Sequence, residues 1–362
     1  MVIFVKPINS NKIKNPVSAR LLSQQLAAPR FKEPEEVVSW FGAMQAQDYK
    51  GMRWAVEMRT CRPSLKAFRK AFDQGRIIRT HMLRTTWQLV SAQDYHWMLE
   101  LCRSNALRGL RGWMHSNGID IPDYERRHIQ DLLAGEMEGK GSFLKEDLNQ
   151  ILIQKGIKME EHRLSYHLRL AEYDGLMCSG DLHPTKRTLA LVSDKIGEGP
   201  RMDRDQALAL LARKYFRSHA PASLEDFVWW SGINVGECRK GIALLGDELV
   251  PVRFRKQDYY LHRDARTRGF RSGSVLLLPA FDEYLIGYKS RHVVLHPGHA
   301  PKAHNNSGIF YNVVALDGEI VGNWHPSEAE CGVTVFKDGV ILPEEPLRKE
   351  TVRFNSYIKS NN

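Results

Sequence analysis

A block of three helical segments and a hairpin occurs twice along residues 124–262, at a spacing of about 70–80 residues. A repeat of a whole unit limits the fold more than any single helix does. In the first copy an amphipathic helix over 124–137 is broken by Gly139 and Gly141. A second helix starts at Ser142 as N-cap, runs through Phe143, Leu144, Leu148, Leu152 and Ile153, and closes at Gly156. A third, over 160–173, sets Leu164, His167, Leu168 and Ala171 on one face. Residues 176–178, a turn at 179–181 and a strand over 188–192 complete the copy. The second copy has a helix over 203–219, one capped by Ser223 and closed by Gly232, and one capped by Asn234 and closed by Gly246. Strands over 248–254 and 259–262 follow. Three helices and a hairpin describe a winged helix.

The flanks are looser variants. In residues 1–120 the pattern gives helices over 17–27, 34–44 and 64–74, with Pro34 in a first-turn position. It also gives a strand over 53–58, a hairpin of 77–81 with 86–90, and a helix over 92–107 leading to a glycine-rich link at Gly109, Gly112 and Gly118. After residue 271 the chain turns to strands, over 274–278, 312–316, 319–324, 332–336 and 340–342. Turns are expected at Asp317-Gly318 and at residues 337–339. The expected class is α+β: tandem winged-helix modules with β-hairpin wings and a C-terminal β-rich domain. The segments are 1–120, 121–198, 199–270 and 271–362.

Charge indicates the partner. The net charge is +10, and residues 1–120 hold 19 Lys and Arg against 9 Asp and Glu, whereas residues 121–362 hold 33 of each. The whole excess therefore lies in the first third, the asymmetry of a polyanion-binding face. A second basic stretch comprises Arg253, Arg255, Lys256, Arg263, Arg266, Arg268 and Arg271, diluted by Asp258 and Asp264. The five cysteines are scattered and show no CxxC spacing, which argues against a disulfide framework or a thiolate zinc site and fits a reducing cytoplasm. No apolar run reaches the ~18 residues of a membrane span.

There is no GxGxxG with its acidic partner, no P-loop, no HExxH and no GxSxG. His292, His296, His299 and His304 are the one histidine group that can be weighed as metal ligands, and Pro297-Gly298 among them reads as an ordinary turn. No metal or cofactor is expected.

Two elements can carry chemistry. Gln45-Ala46-Gln47 closes the second helix. Residues two apart share a face only in an extended segment, so cooperation between Gln45 and Gln47 requires the helix to end near Met44. From composition alone, surface glutamines at a helix end are the plainer reading. The hairpin Arg79-Thr80-His81-Met82-Leu83-Arg84-Thr85-Thr86-Trp87 mixes cations, hydroxyls and large apolar groups, which suits phosphate contacts beside a wedge. A plain wing with Leu83 and Trp87 packed inward is the alternative.

With these in hand, the sequence resembles the winged-helix DNA glycosylases of the AlkZ and YcaQ kind. The likeness rests on the QAQ at Gln45–Gln47, the hairpin Arg79–Trp87, and the later block Phe281-Asp282-Glu283-Tyr284-Leu285-Ile286-Gly287-Tyr288. YcaQ-like members carry Asp where this chain has Gln47, so it sides with the AlkZ branch; Asp48 is one position late for that role. The resemblance implies hydrolysis of the N-glycosidic bond of N7-alkylated purines in double-stranded DNA, with interstrand crosslinks as possible substrates. Gln45 and Gln47 would place the water, and Arg79, His81, Arg84, Thr85, Thr86 and Trp87 would support DNA. A monomer in the cytoplasm, associated with the nucleoid, is expected. Asp282 and Glu283, after Pro279 and an apolar strand, read as a turn cap or an anchor for a neighbouring module. Two other readings stand beside this one. A winged-helix transcription regulator would bind a palindromic operator, and a metal-dependent nuclease would need a carboxylate or histidine cluster that the sequence does not display.

Overall fold

The computed structural model describes residues 15–200, 202–254, 257–326, 331–337 and 339–360. The chain forms two compact units, one taking in residues up to Phe68 and from Leu208 onward, the other Arg69–Ala207. This division runs through the first sequence segment, whose residues up to Phe68 it joins to Leu208 and beyond. The architecture is mixed α/β with small antiparallel sheets.

Along the chain come α1 (Pro16–Ser23), α2 (Pro34–Phe41), β1 (Ala43–Gln45), α3 (Gly51–Glu57) and α4 (Leu65–Asp73). Asn15 caps α1 by accepting from the Val17 N–H at 2.9 Å, and a left-handed Gln25 turns the chain beyond it. Residues 53–58 are helical, not extended as the sequence pattern suggests. The reason is burial: Met52, Arg53, Trp54, Ala55, Val56 and Glu57 are all buried. A helix packed on every side shows no stripe, and a short apolar run of this kind cannot be told from a strand by periodicity.

After the end of α4, the second unit continues with the hairpin β2 (Ile77–His81) and β3 (Trp87–Ser91), in register from Ile77 opposite Ser91 to His81 opposite Trp87. Helix α5 (Ala92–Ser116) then runs straight through the expected glycine link. Gly109 and Gly112 stand on its exposed face with nothing within 4 Å of a built Cβ, and only Gly118, at φ +68°, breaks the chain. Next are α6 (Asp123–Met137), β4 (Phe143–Leu144), α7 (Lys145–Gln154), α8 (Glu161–Tyr173), β5 (Met177–Ser179), β6 (Thr188–Leu191) and α9 (Val192–Lys195). The three strands pair antiparallel in the order β4-β6-β5. Ser142 is not a helix cap: Phe143 and Leu144 extend into β4, and the Ser142 hydroxyl accepts from the Asp181 N–H at 2.8 Å. Ile129, Leu133, Leu148, Leu152, Leu164, Leu168 and Met177 fill the core between these elements.

The first unit resumes with α10 (Arg204–Ser218), α11 (Leu224–Ser231), α12 (Val235–Leu245) and the hairpin β7 (Leu249–Phe254) with β8 (Gln257–His262). The caps match the sequence reading: Ser223 accepts from the Asp226 N–H, Asn234 accepts from the Glu237 N–H, and Gly232 and Gly246 close the helices at positive φ. Then come β9 (Val275–Leu278), α13 (Glu283–Ile286), α14 (Ala300–Ala303), β10 (Val313–Leu316), β11 (Glu319–His325), β12 (Gly332–Val335) and α15 (Glu344–Lys359). The sheet order is β12-β11-β10-β9. Asp317 and Gly318, both at positive φ, make the expected β10–β11 turn. Residues 340–342 are not a strand; they lead into α15, which the sequence reading missed. Asp338, at the centre of the second expected turn, lies outside the described residues, as do Arg255 and Lys256 of the basic stretch.

One core binds the two ends of the chain. Val17, Leu21, Trp54 and Met58 pack with β9, β10 and with Phe354 and Tyr357 of α15. Two indoles serve β9 directly: Trp54 donates to the Leu277 carbonyl at 2.8 Å and Trp324 to that of Leu278 at 2.7 Å. No helix among the described residues is long and apolar enough to cross a membrane.

Two stability outcomes follow. Gly109→Ala and Gly112→Ala are each expected to stabilise α5 by about 0.5–1 kcal/mol, read as a higher Tm. The Glu57 carboxyl is pushed up to about 7 by burial, which outweighs the Ser64 N–H and the Thr60 hydroxyl that favour its anion. A carboxyl raised on folding contributes fully below its ordinary 4.5 and loses that contribution as pH rises through about 7. Glu57→Gln should therefore melt above the parent protein on the alkaline side of neutrality, with the gap closing as pH falls toward the ordinary carboxyl range.

Candidate active site

Gln45 and Gln47 follow α2 in the first unit. The helix ends at Phe41, three residues earlier than the sequence suggests. Gly42 takes φ +82° there, and a Cβ at Gly42 would sit 2.9 Å from Cδ of Lys214. The Lys214 ammonium donates to the Ser39 carbonyl at 2.6 Å and secures the last turn. Beyond it β1 is extended and wholly buried, and it ends at Gln45, with Gln47 past it in a bend. Gln45 is only 5% exposed, Ala46 is buried and Gln47 is exposed. Asp48 is committed to the entry of α3: its carboxylate accepts from the Lys50 N–H at 3.0 Å and its carbonyl from the Met52 N–H.

What fixes β1 is the acidic pair Asp282-Glu283. A Glu283 oxygen accepts from the Gln45 N–H at 2.5 Å, and its other oxygen accepts from the Trp230 indole at 3.2 Å and faces the His219 Nε2 at 3.2 Å. Burial holds the His219 imidazole below its usual range, and Glu283 offsets this in part. Asp282 caps α13 through the Tyr284 N–H and takes both terminal nitrogens of Arg59, at 2.8 and 2.7 Å. Arg59 also donates to the carbonyls of Ala55 and Gln24 and to the Gln24 side chain. Gln24 in turn donates to the Tyr288 hydroxyl, which donates to the His219 carbonyl. Phe281, at φ +60°, holds a backbone conformation rare for an aromatic residue and sets the pair inward. The block at residues 281–288 is thus both cap and anchor. The sequence reading anticipated that role without its partners: Arg59 lies one residue past the segment read as a strand, and Gln24, His219 and Trp230 carry no local signal.

The hairpin belongs to the second unit. Its six expected contact residues divide. Arg79 and His81 are 1% and 4% exposed, whereas Arg84, Thr85, Thr86 and Trp87 reach the surface. The Arg79 guanidinium lies 3.8 Å from the Trp87 ring centroid, and the His81 ring is also 3.8 Å from it. His81 Nδ1 is bonded to the buried Glu172 carboxylate, while burial keeps the imidazole below its ordinary pKa. Arg84 and Thr85 at the tip are both left-handed, with φ of 54° and 59°. Neither is glycine, so each costs about 1–2 kcal/mol. Main-chain bonds from Met82 to Thr86 and from Thr85 to Met82 hold the tip closed.

The histidines at 292–304 are engaged locally. His296 Nδ1 accepts from the Gly298 N–H at 3.1 Å, and His292 bonds the Ser290 hydroxyl. Among the described residues there is no group of three or more His, Cys, Asp or Glu able to hold a metal.

Arg59→Met leaves the Asp282 carboxylate buried without its cation and is expected to cost about 3–5 kcal/mol in urea melts. Arg59→Lys keeps the charge but not the two-pronged geometry, and should fall between Met and the native residue.

Comparison with known proteins bears on what these groups do. The sequence model of the family described as DNA glycosylase AlkZ-like matches residues 38–347. The chain is 24% identical over 348 residues to the interstrand DNA cross-link repair glycosylase of Streptomyces sahachiroi, covering 92% of this chain and 93% of that one. It is similar to the solved structure of Streptomyces sahachiroi DNA glycosylase AlkZ, with a TM-score of 0.78 at 23% identity over 96% of each chain. A likeness at that identity speaks for the fold.

Proposed function

The chain belongs to the AlkZ-like DNA glycosylase family, and from that premise we propose that it removes cationic N7-alkylated purines from duplex DNA by hydrolysis, crosslinked purines included. Membership in a family of DNA N-glycosylases sets aside the regulator reading. The Streptomyces relative is named for interstrand cross-link repair, which supports the crosslink part. On this reading α6, β4, α7, α8, β5 and β6 form one winged helix, and α10, α11, α12, β7 and β8 another. The protein works as a monomer in the cytoplasm, on the nucleoid.

One observation carries the proposal: β1 is pinned at Gln45 by a buried carboxylate, and the next amide along, Gln47, is exposed. A purine alkylated at N7 is already positively charged and leaves without a general acid. What remains is to hold water against the deoxyribose as positive charge moves onto it. The Gln47 carbonyl can accept a hydrogen bond from that water, while Gln45 steadies the segment and the amide beside it. An amide is too weak a base to remove the proton outright, so the gain comes from orientation and electrostatics. Arg84, Thr85, Thr86 and Trp87 touch DNA; Arg79 and His81 act beneath them as positioning residues.

The test is release of base from an N7-methylguanine duplex under single-turnover conditions. Gln47→Ala is expected to lower the rate by about 10²-fold, the scale of losing one preorganised polar contact, with duplex affinity nearly unchanged. Gln45→Ala should lower both rate and stability, because its side chain is buried. A uracil duplex should be cut far more slowly than the cationic substrate; equal rates would overturn the mechanism.

A further inference from the structure

The basic stretch that follows β8 belongs to neither the glutamine strand nor the hairpin of the second unit. Residues 263–271 set four arginines, Arg263, Arg266, Arg268 and Arg271, against one carboxylate, Asp264. All four arginines are exposed. Among the described residues none of them makes an ion pair. Asp264 turns instead to the His262 ring, 3.7 Å from Nδ1.

The segment is held at both ends. The Arg263 N–H donates to the Glu248 carbonyl and the Ala265 N–H to the His262 carbonyl, each at 2.8 Å. Further on, Phe270 packs against the core that holds β9 and β10, and the Ser274 N–H donates to the Asp317 carboxylate at 2.8 Å. In its middle the Arg266 guanidinium donates to the Ala28 carbonyl at 3.3 Å.

That bond brings the loop to a second guanidinium within the same unit. Arg30, two residues past Ala28, is exposed. Its guanidinium carbon lies 4.2 Å from the Trp40 ring centroid and 5.1 Å from that of Phe31. Trp40 is fixed in turn: its indole donates to the Ser23 carbonyl at 2.8 Å, and the Phe31 ring packs on it at 5.6 Å. A guanidinium laid on an aromatic face is held in place while its N–H edges stay open to an anion. Arg30 makes no hydrogen bond or ion pair among the described residues. Partial burial first, and then the charge of Arg266, push the Arg30 guanidinium below its usual range. The two cations thus lie close enough to repel, with no carboxylate paired to either.

A surface that gathers like charges without acidic partners concentrates counter-ions of the other sign. Being exposed, these arginines would gain little from a single small anion. A backbone that offers phosphates in a row gains at each of them, by releasing its own counter-ions.

We infer that Arg30 and Arg266 together take one backbone phosphate of duplex DNA, and that the rest of the loop over 263–271 follows the same strand. The inference rests on the reading that the chain acts on duplex DNA, but not on the glutamine mechanism. Binding of the full chain to an unmodified duplex, followed by fluorescence anisotropy across a salt series, tests it. Arg30→Ala and Arg266→Ala are each expected to weaken binding about three- to tenfold, and the double variant to lower the slope of log K against log salt by about 0.9, the share of one phosphate. The double variant should cost less than the two single losses multiplied together, because both groups hold the same phosphate. Arg30→Lys should restore the slope, since the charge returns. Arg348→Ala removes an exposed cation from α15 and should leave the slope as it is; an equal drop there would mean that net charge alone is sensed, and would overturn the inference. Unchanged affinity and slope in the double variant, with normal melting, would also overturn it, even if base is released normally. So would a loss seen with single-stranded RNA and not with the duplex. Weaker duplex binding by the double variant, in a protein whose parent releases no base, would sink the glutamine mechanism instead and leave this contact standing.

Discussion

The carboxylates of Asp282 and Glu283 hold the first unit together at the point where its chemistry is proposed to sit. One takes the guanidinium of Arg59, the other the backbone of Gln45, and neither touches solvent to any extent. Charges so deeply buried are tolerated only when their hydrogen bonds are nearly complete. That requirement explains the company they keep: His219 and Trp230 meet the Glu283 carboxylate, while Gln24 and Tyr288 tie Arg59, the Glu283 carbonyl and the His219 carbonyl into one connected network. The outcome is a strand whose position is set from a residue 238 places away in sequence, as a site relying on orientation demands.

The second unit uses a different device. Its hairpin is stiff at the base, where Arg79 and His81 lie under Trp87 and Glu172 holds His81. It is strained at the tip, where two residues with side chains adopt left-handed backbone. Strain at an exposed turn persists only when the surroundings fix it, and here the main-chain bonds across Met82, Thr85 and Thr86 do so.

Local rules carried the sequence reading a long way. Ser223, Asn234, Gly232 and Gly246 mark their helices because caps and C-terminal glycines act over three or four residues. Asp317-Gly318 marks its hairpin for the same reason. The failures lie where distant packing overrides the local signal. Residues 53–58 form a helix because the core encloses them, and α5 passes through two glycines because its neighbours on the inner face hold it. In the candidate site, the glutamine pair and the hairpin were visible as motifs. Which of their side chains are buried was not, since that depends on Glu283 and Glu172, far along the chain.

The core that joins Trp54 to Leu277 and to Phe354 also governs how the protein is made. During synthesis, the intervening unit leaves the ribosome before residues 208–362 of the first. The apolar faces of the first helices stay open until the last strands and α15 emerge, roughly 220–340 residues later. A nascent chain stalled before β9 therefore exposes the apolar faces of α1 and α3 to aggregation or to a chaperone.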